Sequence, residues 1–170
     1  ITVVFAAGNE GPGTSTVMPP NNISINLVNN FSVGAVNAST SNLNIAGFSS
    51  RGPSDCSGTG SLKIKPEVAA PGVSVRSAVR GGGYGSFQGT SMAAPHVSGA
   101  VLLLREAFPY LPGKVIKEAL YYTCTDLGDP GEDNFYGQGI INVEEAFYYL
   151  IMEGNVPVDP QVDYDALLVN

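Results

Sequence analysis

The apolar positions change period along the chain. Ile1-Thr-Val-Val-Phe-Ala-Ala7 is a continuous, largely β-branched apolar run, which predicts a strand buried on both faces of a parallel sheet. A polar, turn-rich stretch over 21–30 follows, and Phe31–Val36 predicts a second strand. Shorter strands are expected at Asn44–Phe48, Glu67–Ala70, Val73–Val79 and Tyr84–Gln88. From Thr90 the period becomes helical and holds to Phe108, with every position from Val101 to Leu104 apolar. Pro112 fits the first turn of a second helix bearing Val115, Ile116, Ala119 and Leu120. A third runs from Val143 to Met152 with Asn142 as its N-cap. Strands alternating with helices predict an α/β fold with a mostly parallel sheet. Residues 1–152 read as one unit and 153–170 as a tail or the lead into a following segment. A chain that opens inside a strand is expected to be a piece of something larger.

Composition narrows the function classes. The 170 residues are 44% hydrophobic and only 14% charged, which argues for a buried core rather than disorder. The 21 glycines follow no triplet period, and no stretch is long and apolar enough to span a membrane. Eight basic residues against fifteen acidic give a net charge of −7 without a basic block, so nucleic acid is not the expected partner. Cys56 and Cys124 are too few for a disulfide framework, and whether they pair stays open.

Chemistry concentrates in Gly89-Thr-Ser-Met-Ala-Ala-Pro-His-Val-Ser-Gly-Ala100. A tight Gly-Thr-Ser leads into a helix of small residues, which can approach other backbone closely. Ser91 then sits where unpaired N–H groups and the helix dipole favour a developing oxyanion. A plain N-cap role for Thr90 or Ser91 is the simpler alternative. Pro95 lies past the first turn and removes the bond its N–H would give to the Ser91 carbonyl, which points to a helix start shaped for a purpose.

This segment resembles the nucleophile signature of the subtilisin-like serine peptidases, the subtilases. Val4-Phe-Ala-Ala-Gly-Asn-Glu-Gly11 resembles the strand and turn holding that family's oxyanion asparagine. Phe31–Val36, Phe48-Ser-Ser-Arg-Gly-Pro53, Lys65-Pro-Glu-Val-Ala-Ala-Pro-Gly72 and Tyr136-Gly-Gln-Gly-Ile-Ile-Asn-Val143 follow in the family's order, with a flavour nearest bacillopeptidase F-like members. The resemblance implies the C-terminal half of a three-layer subtilisin-like fold. It makes Ser91 the nucleophile, and Asn9 with the Ser91 N–H the oxyanion donors. Ala6, Ala7 and Gly8 become one wall of the primary specificity pocket, with Gly89 and Thr90 also in the substrate-binding set. Glu10 falls at the pocket rim, favouring basic substrate side chains, although a solvated surface carboxylate reads equally well. Polypeptide substrates, a secreted or cell-envelope location and a cis Pro19–Pro20 bond are further implications.

The family also needs an aspartate and a base histidine, and neither motif is present. His96 is the only histidine, about 140° around and about 7.5 Å along a helix from Ser91, and reads as a buried structural residue. Lys63, Lys65, Lys114 and Lys117 carry no signature of a base. The chain is therefore expected to hold half a catalytic site, to depend on a missing N-terminal half, and to be inactive and self-associating by itself. Calcium is a further possibility. Asp126–Asn134 is oxygen-rich, but Leu127 and Pro130 break the EF-hand alternation, and a solvated acidic turn fits better. Two other readings stand beside the peptidase. One is a non-catalytic binding or regulatory relative; the other is a sedolisin-type enzyme, against which Asn9 argues.

Overall fold

A computed structural model of the chain describes residues 1–56 and 58–158. Three parallel strands, β1 (Val4–Ala6), β2 (Phe31–Val36) and β3 (Val68–Pro71), form one sheet in sequence order. Val4 lies opposite Phe31, and Val33 opposite Val68. A two-stranded antiparallel hairpin, β4 (Val75–Ala78) and β5 (Tyr84–Phe87), follows. The helices are α1 (Thr90–Ala107), α2 (Gly113–Tyr122) and α3 (Val143–Met152). The α/β architecture expected from the alternation is the one observed.

Two periodicities build the core. In β2, Phe31, Val33 and Ala35 join the apolar cluster with Val68 and Ala70 of β3, while Ser32 bonds to Glu67 instead. Along α1, Thr90, Ala93, Val97, Ala100, Val101 and Leu104 are buried at helical spacing. Alanines at two of those positions bring α1 close to the sheet, and α2 and α3 pack against α1 in turn. Asn142 caps α3 as its position suggested, accepting a bond from the Glu145 N–H at 3.1 Å. Pro112 is the N-cap of α2 rather than a residue of its first turn.

Three expectations need correction. Asn44–Phe48 is not a strand; only Ile45 bridges to Val36, because the chain turns there and the Ser49 N–H bonds the Ala46 carbonyl. β1 is shorter than the apolar run and half-buried, with Ile1 and Val3 exposed. Its one strand partner is β2, whereas the far edge of β3 is covered by Gly139–Ile141, which exchange backbone bonds with Ala69. His96 is exposed, not buried, since position 96 falls outside the stripe that faces the sheet. The tail expected over 153–170 lies largely outside the described residues. Its first part stays on the body: the Val158 N–H bonds the Ala107 carbonyl and the Tyr110 hydroxyl bonds the Val156 carbonyl.

A charged cluster sits at the amino ends of β2 and β3. Lys65 is fully buried and pairs with Glu67, whose other oxygen accepts from the Ser32 N–H at 2.8 Å and the Ser32 hydroxyl at 2.6 Å. Lys117 of α2 reaches the Val28 carbonyl and lies 5.8 Å from the centre of the Phe31 ring. Burial pushes the Glu67 carboxyl up and both ammonium groups down, while their mutual attraction works the other way. Removing the carboxylate strands a buried cation. Glu67→Ala should cost about 3–5 kcal/mol in urea denaturation, and Lys65→Met/Glu67→Leu much less. Equal losses for the two variants would mean that packing, not charge, governs this position.

Candidate functional site

Because β1, β2 and β3 run parallel, the chain leaves each of them at the same edge of the sheet. The turn after β1 carries Gly8, Asn9 and Glu10, and α1 begins beside it. Gly89 is the N-cap of α1 with φ of 145°, a conformation L side chains rarely adopt, and its N–H bonds the Gly72 carbonyl at 2.8 Å. That bond fixes where the helix starts. A Cβ at Gly72 would meet Ala35 Cβ at 2.5 Å and the Gly89 carbonyl oxygen at 2.9 Å, so the junction has no spare room.

Thr90 joins the two segments. Its N–H donates to Asn9 Oδ1 at 2.9 Å, and its hydroxyl donates to the same oxygen at 3.1 Å. The Thr90 hydroxyl oxygen also accepts the Gly8 N–H at 3.2 Å. These contacts bridge 81 or 82 residues of sequence. A backbone N–H can only donate, so the amide atom facing Thr90 is oxygen, and Nδ2 is the end left over. Among the described residues neither Asn9 Nδ2 nor the Ser91 N–H has a hydrogen-bond partner. Ser91 is exposed in the first turn of α1, where the helix dipole is positive. Two unbonded donors and the Ser91 hydroxyl thus lie on segments that Thr90 ties together.

The remaining predicted residues fall around this point. Ala6 ends β1, Ala7 is buried behind it, and Gly8 adopts φ of 114°. A Cβ at Gly8 would lie 2.5 Å from Glu10 Oε2 and 2.7 Å from Ser50 Oγ. The Glu10 carboxylate therefore folds back over the turn toward Ser50, although the residue remains exposed. Asn21 Nδ2 donates to the Ala6 carbonyl at 2.8 Å, anchoring the loop that holds the cis Pro19–Pro20 bond. Ser50 and Gly72 are structural members of the site that residue type did not single out. Ser50 stood in a quoted motif, but a serine's burial cannot be read from its polarity.

His96 is not brought to Ser91. Its Nδ1 lies 2.9 Å from the Met92 carbonyl, which can only accept, so the proton resides on Nδ1. Ser91, Met92, Pro95 and His96 border an open cleft of about 740 Å³ that Val75 and Ile140 also line. The acidic loop is occupied with its own backbone. Asp126 accepts the Gly131 N–H, Asp133 accepts from Phe135 and Tyr136, and Glu132 takes the Tyr121 hydroxyl. Among the described residues no group of three His, Cys, Asp or Glu could hold a metal ion. Both cysteines are free thiols; Cys56 is exposed, and burial pushes Cys124 up to about 12.

Residues 1–139 match the subtilase family of peptidases. The chain is 40% identical over 148 residues to subtilisin E of Bacillus subtilis (strain 168), covering 86% of this chain and 33% of that protein. It is 42% identical to subtilisin DY of Bacillus licheniformis, with 86% and 46% covered. Among solved structures, sphericase superposes with a TM-score of 0.70 at 30% identity, covering 82% of this chain and 47% of the other. The chain thus spans between a third and a half of the length of these relatives. With the family match running over residues 1–139, the chain belongs to the subtilase family.

Proposed function

We propose that this chain is the nucleophile-bearing part of a serine endopeptidase. The observation that carries the reading is the Thr90 clamp on Asn9 Oδ1, which fixes the asparagine amide beside the start of α1 with Nδ2 as its unbonded end. Ser91 Oγ attacks the scissile carbonyl carbon while a base takes its proton. The oxygen that becomes anionic accepts from Asn9 Nδ2 and the Ser91 N–H. The proton passes to the leaving amine as the C–N bond breaks, and water then hydrolyses the Ser91 ester. Ala6, Ala7, Gly8, Gly89 and Thr90 border the substrate, and Glu10 at the rim favours a basic side chain before the scissile bond. Extended substrate pairs with backbone beside the site.

The base comes from a segment outside these residues. Nothing titratable among the described residues bonds to Ser91 Oγ, and His96 is turned to Met92. The open edge of β1 and the outer face of α1, where Leu102 and Leu103 are exposed, suit such a segment. A secreted or cell-envelope setting is part of this reading. The same missing base favours a second reading, a binding module that keeps the groove without turnover. An Asp-Thr/Ser-Gly motif and a His-Gly-Thr motif in the adjoining reading frame support the enzyme; their absence supports the module.

In the complete enzyme, Ser91→Ala should abolish labelling by a serine-directed phosphonate while the melting temperature stays close to wild type. Labelling of the variant at the normal rate would remove Ser91 from the mechanism.

Asn9→Leu should lower kcat by about 10²–10³ with KM little changed, a magnitude carried over from subtilisin itself rather than from this geometry. Thr90→Val should reproduce part of that kcat loss, because it removes one of the two bonds holding Asn9 Oδ1 and the bond to the Gly8 N–H. Losses confined to KM would make Asn9 a ground-state binding residue.

Residues 1–170 by themselves should show no turnover of a chromogenic peptide, since a serine hydroxyl without a base is a weak nucleophile. Light scattering should find them self-associated through the open strand edge. Adding the base-bearing segment should restore both solubility and turnover; a monodisperse, active monomer would contradict the half-site reading.

A further inference from the structure

The turn bearing Asn9 is gripped from two sides, and only the Thr90 side belongs to the nucleophile segment. The other side is Ser50, which is completely buried. Its N–H donates to the Gly8 carbonyl at 3.0 Å. Its hydroxyl oxygen accepts the Glu10 N–H at 3.1 Å, and its hydroxyl proton goes to Glu10 Oε2 at 2.9 Å. The residues before and after Asn9 are therefore both bonded to one side chain's residue. The neighbouring strand of contacts runs the same way: the Gly11 N–H bonds the Phe48 carbonyl at 2.9 Å. Ser49 in turn ties this loop to β2, its hydroxyl accepting the Ala35 N–H at 3.0 Å.

We propose that Ser50 is a positioning residue whose single hydroxyl sets both the oxyanion turn and the carboxylate at the pocket rim. The proposal rests on the reading of Asn9 as oxyanion donor and Glu10 as rim residue. A serine hydroxyl has one proton to give and room to accept. Here the accepting side holds the backbone that aims Asn9, and the giving side holds Glu10 folded over Gly8. Alanine at position 50 would leave the Glu10 N–H unpaired in a part-buried setting, which costs more than the net worth of a bond. It would also let the exposed carboxylate swing away from the rim, where water and salt screen its pull on a cationic substrate side chain. Turnover and charge preference are thus predicted to move together when one buried atom is removed, although Ser50 touches neither substrate nor Ser91.

The test compares peptide anilides carrying leucine or lysine before the scissile bond, using the complete enzyme. Ser50→Ala should lower kcat on the leucine substrate about 3- to 10-fold with KM little changed. The lysine-over-leucine preference should fall to that of Glu10→Ala. The Ser50→Ala/Glu10→Ala double variant should lose less than the product of the single losses, because both remove the same contact. Glu10→Ala lies at an exposed position and carries the test if Ser50→Ala does not fold: it should lower kcat on leucine about twofold, through lost restraint of Ser50. An unchanged kcat in the folded variant, a loss in KM alone, or strictly multiplicative losses would overturn the proposal. Asn9→Leu assayed alongside separates the two layers. If it keeps wild-type turnover, the oxyanion reading itself is wrong; if it loses turnover while Ser50→Ala does not, only the role of Ser50 is.

Discussion

Parallel pairing of β1, β2 and β3 is the constraint on which the site depends. Parallel strands deliver their exits to one edge, so the turn after β1 and the chain after β3 are neighbours before any side chain acts. The small residues of α1 then let the helix lie near the sheet with its first turn beside those exits. Thr90 and Gly89 convert proximity into geometry, one by bonding Asn9 and Gly8, the other by bonding Gly72. The proposed site, assembled from positions 9, 50, 72 and 91, thus needs no long-range adjustment beyond correct strand order.

The opposite edge is secured by different means. There Lys65, Glu67 and Lys117 are taken out of water and matched to one another, to Ser32 and to main-chain carbonyls. Such a cluster is weak evidence for added stability, since desolvation offsets much of the attraction. It does impose a unique arrangement, because any shift of β2 against β3 would separate Ser32 from Glu67. One edge is held by charge and the other by close backbone contact.

Period made the helices legible: α1 and α3 begin at the residues where the apolar spacing begins, and Asn142 caps as its type suggests. β2 was equally clear, since it is buried along its whole length. Strand edges were not. The β1 run looked like a central strand because apolarity reports burial in the finished assembly, while the described residues offer it one neighbour. His96 was misjudged for a related reason: a lone histidine among small residues suggests a core, but the stripe on α1 passes beside it. Ordered motifs put Gly8, Asn9, Glu10, Thr90 and Ser91 into one group, and the fold does bring the turn at Asn9 to Thr90. Ser50 and the buried lysines were not, because their partners are backbone atoms and carboxylates that only folding brings near.

The bond between the Gly89 N–H and the Gly72 carbonyl has an architectural consequence. It closes the chain into a loop whose whole content is the β4–β5 hairpin, with Gly81, Gly82 and Gly83 at an open tip. Lengthening a closed surface loop costs little, about 0.6 kcal/mol for each doubling. The hairpin is thus a module clamped at its root, and its tip can accept inserted sequence while the start of α1 keeps its place. An epitope, a fluorophore site or a tether grafted there would be mechanically decoupled from Ser91, although the root of the hairpin at Val75, Arg76 and Ser77 shares a cleft with it.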